Sequence, residues 1–148
     1  MAAAIANALY MPVVIAESAA LTPRTPHPIS VQVMREVGID IGCLPPRTIA
    51  RTMLRHPRFD TVIALDREAH NFPLPGNLKY DQRWLWECPQ VTPEGMDGME
   101  LLDHIRRLRD AILGQVLRWA DGLGIPPRDD ISGALLERAM YMTALDDE

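Results

Sequence analysis

Few residues in this chain are able to do chemistry. It has two cysteines, Cys43 and Cys88, and four histidines, His27, His56, His70 and His104. A thiol becomes a nucleophile only when a cation, a base or a helix N-terminus lowers its pKa. Cys43, between Gly42 and Leu44, has no such neighbour and reads as a small loop residue. Cys88, between Glu87 and Pro89, is the better-placed thiol, although no base or cation is visibly paired with it. The histidines lack ligand spacing and no Cys-x2-Cys pair exists, so the reading is no metal, no cofactor and no disulfide framework. Arg106, Arg107 and Arg109 could hold an anion, but Asp103 and Asp110 beside them predict pairing along the helix. Trp84, Trp86 and Trp119 read as core or interface anchors.

The chain that must position these residues has 148 of them, 47% hydrophobic and 24% charged, with a net charge of −5. That is the composition of a folded globular protein rather than a disordered or fibrous one. The acidic balance argues against a global footprint for nucleic acid and leaves room only for a local basic patch. The longest apolar runs, such as Val13–Ala16 and Thr61–Leu65, fall far short of the roughly 20 residues of a membrane span. With no basic leader, the expected setting is the cytoplasm.

Element signals alternate. Ala- and Leu-rich Met1–Tyr10 predicts a helix with no capping residue before it, which raises the expectation that the chain normally begins further upstream. Val13–Ala16, after Pro12, reads as a buried strand. Ser30–Val37 predicts a helix ended by Gly38, and Arg47–Arg55 a short helix with Ile49, Met53 and Leu54 on its inner side. Thr61–Leu65 is apolar apart from Thr61 and reads as a strand covered on both faces. Asp66–Asn71 predicts a turn or short helix, and Leu78–Trp86 a further strand. Met96–Leu123 carries Met99, Leu102, Ile105, Leu108, Ile112, Val116 and Trp119 as one apolar stripe. After Pro126-Pro127, Asp129 or Asp130 is expected to cap a last helix, Ile131–Leu145, which would fold back on the sheet or dock on a second chain. The fold class is α/β, a small parallel sheet with flanking helices.

The segment Ser18–Pro23, then His27-Pro28, then Val33–Ile41, resembles low-molecular-weight phosphotyrosine phosphatases and the related arsenate reductases. Phe59–Leu65 matches that family's central strand, Trp84–Pro89 its acid loop, and Arg106–Val116 its last helix. The resemblance covers roughly residues 1–120. It implies a phosphatase-like domain over 1–124, with 125–148 a C-terminal helical extension, and His27 as a helix-capping residue.

The family's chemistry rests on a Cys-x5-Arg-Ser/Thr loop. Backbone N–H groups at a helix N-terminus bind the phosphoryl oxygens, the thiolate attacks phosphorus, and the arginine clamps the equatorial oxygens. No such loop occurs in these 148 residues. Met1–Ala4 resembles the stretch that follows it, so the family's first strand, nucleophile and arginine would all precede residue 1. The general acid, an Asp before Pro in the family, is here Cys88 before Pro89. The neighbouring Glu87 is the other candidate for protonating a leaving group. The resemblance therefore implies a degenerate member, non-catalytic and acting by binding or association with a partner or as a homo-oligomer. The alternative is an active phosphatase or arsenate reductase whose loop lies upstream. A third reading is a subunit that completes its sheet with a partner. In the family's sheet order, 2-1-3-4, losing the first strand predicts that Val13–Ala16 pairs directly with Thr61–Leu65 or that a partner's strand fills the gap.

Overall fold

A computed structural model describes residues 1–146. Its elements are α1 (Ala2–Tyr10), α2 (Pro28–Arg35), α3 (Ile49–Arg55), β1 (Arg58–Ala64), α4 (Arg67–Asn71), β2 (Lys79–Leu85), α5 (Gly98–Gly122) and α6 (Gly133–Asp146). The class is mixed α/β. The contacts divide the chain into two units. One comprises Met1–Ala16, Pro26–Leu44 and Pro89 onward, and the other Glu17–Thr25 and Pro45–Cys88.

The first unit is helical and is built around α5, against which α1, α2 and α6 pack. Helix α5 is long because its apolar residues recur every three or four positions and because Asp97 caps it, accepting from the Glu100 N–H at 2.8 Å. Leu101, Ile105, Ile112, Leu113, Val116 and Ala120 form its buried stripe. Val33 of α2 packs with Leu101 and Ile105. His27 caps α2 as expected, its Nδ1 accepting from the Ile29 N–H at 3.2 Å. Gly38, at φ +78°, turns the chain out of α2 in the left-handed conformation that glycine tolerates.

Several expectations fail in this unit. Val13–Ala16 is not a strand. The Asn7 side chain bonds both backbone groups of Ala16, at 2.7 and 2.9 Å, and the Val14 N–H turns back to Tyr10, so local partners satisfy the backbone that a sheet would otherwise take up. Its predicted pairing with Thr61–Leu65 does not occur, since the sheet contains only β1 and β2. Helix α6 is capped neither by Asp129 nor by Asp130. Ser132 Oγ does this, accepting from the Leu135 N–H at 3.2 Å and donating to the Val37 carbonyl at 3.0 Å, while Asp130 is held by Arg128. Helix α6 packs on α5, with Leu135 and Ala139 buried. The joint before it is tied to α1 by the Arg128 N–H, which donates to the Leu9 carbonyl at 2.7 Å. The last two residues of the expected 125–148 extension lie outside the described residues.

The arginines of α5 do more than pair along their own helix. Arg106 bonds Asp103 one turn earlier, but it also grips Glu36, just past α2, at 2.7 Å. Arg109 is buried, 5% exposed, and donates to Glu36 at 3.0 Å, the Val33 carbonyl at 3.1 Å and Asp110 at 2.9 Å. Asp110 in turn accepts Arg138 of α6. Hydrogen bonds from Arg106 and Arg109 hold the Glu36 carboxyl below the usual carboxylate range, Arg106 contributing most. The cluster is the polar seam joining three helices.

In the second unit, β1 and β2 are parallel neighbours in a two-stranded sheet, Arg58 opposite Lys79 through to Ala64 opposite Leu85. Helix α4 connects them and packs on both. The expectation of a strand covered on both faces fails: along β1 only Ala64 is buried, and Thr61, Val62 and Ile63 are half-buried. Leu54, expected on the inner side of α3, is 88% exposed, and the buried residue of that helix is Thr52. Glu17 joins α3 to the preceding loop, accepting from Arg47 at 2.7 Å and meeting His56 Nε2 at 3.2 Å, and a parallel bridge links Ala20 with Thr48.

Candidate functional site

Parallel strands place ligand-binding groups beyond their carboxyl ends, where the loops diverge. In the second unit that edge is made by Leu65, Asp66 and Arg67 after β1, and by Trp86, Glu87 and Cys88 after β2. The two loops are stitched together. The Trp86 N–H donates to the Ala64 carbonyl at 2.8 Å and the Cys88 N–H to the Leu65 carbonyl at 3.3 Å. Asp66 caps α4, accepting from the Ala69 N–H at 2.7 Å, which sets the direction in which Arg67 leaves the sheet. At the far end of α4, Arg83 of β2 donates to the carbonyls of Ala69, His70 and Phe72, a cation placed against otherwise orphaned acceptors. Its Nε and His70 Nδ1 are buried without a hydrogen-bond partner.

Cys88 and Glu87 both fall at this edge, but with separate environments. Glu87 is exposed and is held by Arg67, whose Nε donates to Oε1. The contact raises the Arg67 pKa, the Glu87 hydrogen bond being the main cause. In this contact Glu87 is the acceptor of a hydrogen bond from Arg67. Cys88 is half-buried and free. Burial alone pushes its thiol pKa up. A thiol in that state supplies neither a thiolate nucleophile nor a ready proton.

Among the described residues no group of three or more His, Cys, Asp or Glu is placed to hold a metal ion. Cys43 is exposed and lies in the first unit. No helix is long and apolar enough to cross a membrane. Sequence reading did not find Arg67 as the partner of Glu87, nor Arg83 as the clamp on α4. Both pairings span loops between strands, and no local spacing announces them. No protein-family model matches the chain, and no curated protein matches it.

Proposed function

We propose that this chain is a degenerate relative of the low-molecular-weight phosphotyrosine phosphatases and arsenate reductases, non-catalytic and acting by association in the cytoplasm. The observation that carries the reading is the state of residue 88. Where the resemblance places an Asp general acid, the chain has a half-buried thiol whose pKa is raised by burial, and the adjacent Glu87 is engaged by Arg67. The reading does not depend on what precedes residue 1. A longer chain carrying a Cys-x5-Arg loop upstream would still have a thiol, not a carboxylic acid, at position 88. The parallel adjacency of β1 and β2 supports the resemblance, since the order 2-1-3-4 makes the last two strands neighbours. An aryl phosphate assay across about pH 5 to 8 tests the reading. The expected result is no saturable turnover, and turnover abolished by Cys88→Ser would overturn it.

A specific observation favours association through the sheet. Each strand has a single neighbour among the described residues, and an isolated two-stranded sheet is marginal in water. Addition of a strand from a partner would supply backbone hydrogen bonds to an unpaired edge. Light scattering over a wide concentration range is expected to show assembly of this chain or, with its partner added, a defined complex. A lone monomer under all these conditions would contradict it.

A further inference from the structure

We infer that α3 and the arginines around it form a docking surface for an acidic, leucine-bearing segment of a partner protein. The inference deepens the association reading and rests on it, but it uses a surface other than the strand edge.

Between Arg47 and Arg58 the sequence holds four arginines and His56 and no carboxylate. The outer two are already neutralised, Arg47 by Glu17 and Arg58 by Asp81, each at 2.7 Å. The inner two, Arg51 and Arg55, are exposed and have no acidic partner among the described residues. They stand one helical turn apart, so their Cβ atoms are roughly 5–6 Å from each other. Leu54 lies beside them at 88% exposure, the most open large apolar side chain described. An exposed leucine alone is ordinary. Here it sits next to two unsatisfied guanidinium groups on a helix whose other side is fixed: Thr48 accepts from the Arg51 N–H at 3.2 Å, and Thr52 is buried and donates to the Thr48 carbonyl at 3.1 Å.

Charge distribution selects the occupant. Residues 17–25 and 45–88 carry eight Lys or Arg against six Asp or Glu, whereas the rest of the chain carries seven against fourteen. A nucleic acid or an anionic membrane presents its charge over tens of ångströms and meets the net −5 of the whole protein. A short peptide senses little beyond the screening length of about 8 Å at physiological salt, and so responds to the local arginines. Carboxylates would pair with Arg51 and Arg55 in forked geometry, and an apolar residue between them would cover Leu54.

The test uses the full chain and a fluorescent peptide in which Asp and Glu alternate with Leu. Its controls are the same peptide with Asn and Gln in place of the acids, a short oligothymidylate, and phosphatidylserine vesicles. Saturable binding of the acidic peptide is expected, weakening as salt rises. Arg51→Glu with Arg55→Glu is expected to weaken it by about tenfold, through the loss of two exposed ion pairs. Leu54→Ser is expected to weaken it by a few-fold, with the thermal transition of both variants unchanged because the side chains are exposed. Equal binding of the neutral peptide, tighter binding of the oligonucleotide or vesicles, or variants that bind as the native chain does would each overturn the inference. Its failure with assembly intact in light scattering would leave the association reading standing. Failure of both would remove that reading as well.

Discussion

The two units differ in how much they bury. Of the twenty buried apolar side chains, seventeen lie in the helical unit and three, Ala64, Leu78 and Trp86, in the sheet unit. Every fully buried large side chain, from Ile5 and Leu9 to Leu135, belongs to the helices. Polar groups are distributed differently as well. In the helical unit the buried Arg109 has Glu36, Asp110 and the Val33 carbonyl around it. In the sheet unit Arg58–Asp81 and Arg67–Glu87 are exposed pairs, which contribute little, while Arg47–Glu17 is largely buried. The helices hold most of the buried core. Exposed large apolar side chains occur in both units, Leu54, Trp84 and Tyr80 in the sheet unit and Val13, Met99 and Met140 in the helical unit.

The contrast is sharpest under truncation of a core side chain. Leu113→Ala removes a side chain that is 1% exposed and is expected to cost about 3–5 kcal/mol, read by denaturant unfolding. Leu85→Ala, at a half-buried position of the mostly exposed β2, is expected to cost less than about 1.5 kcal/mol. Equal costs would erase the distinction between the units.

Next in size is the polar seam. Glu36→Gln is expected to destabilise by about 1–2 kcal/mol. That is below the cost of breaking a fully buried pair, because Glu36 is about a third exposed and Asp110 still faces Arg109. The pH dependence has a defined sign. The Glu36 pKa is lower in the folded chain, so its contribution is fully present above the ordinary carboxylate value of about 4.3 and is lost as pH falls through the lower folded value. Unfolding at acid pH should therefore separate wild type from Glu36→Gln less than unfolding at pH near 7. A constant difference would show that the carboxylate charge is not what the arginines hold.

A smaller effect concerns local opening. Amide exchange of β1 and β2 should be faster than that of the middle of α5, because few buried contacts resist opening of a two-stranded sheet. Protection of the strands equal to that of α5 would mean that the sheet is already complete.

How much of this was readable from sequence follows the same division. Helix α5 was legible because seven apolar residues repeat at helical spacing, although only Ile105, Ile112 and Val116 of the seven are buried and Met99 is 72% exposed; α2 was legible because Gly38 and His27 mark its ends. The first strand was legible from the apolar run Thr61–Leu65, though it begins three residues earlier at Arg58, and the second from a weak alternation over Leu78–Trp86. Val13–Ala16 misled because β-branched residues suit a strand only where a neighbour offers hydrogen bonds, and Asn7 offered them first. Leu54 misled because a seven-residue helix has room for only a narrow buried side, which Thr52 occupies. The cap of α6 misled because two aspartates looked better placed than Ser132, while Arg128 had claimed one of them. At the strand edge, Cys88 and Glu87 were found by type and position. Their environments were not, since burial and the Arg67 contact arise only when the loops after β1 and β2 are brought together.

The central claim is that residue 88 is a protonated, unactivated thiol at the place where a catalyst would need an acid. Thiolate absorbance of the Cys43→Ser chain, followed as pH is raised, tests it most directly, because Cys88 is then the only cysteine. The account predicts a midpoint above the ordinary thiol value of about 8.5. A midpoint below about 7 would reveal a thiolate stabilised for chemistry and would contradict the account.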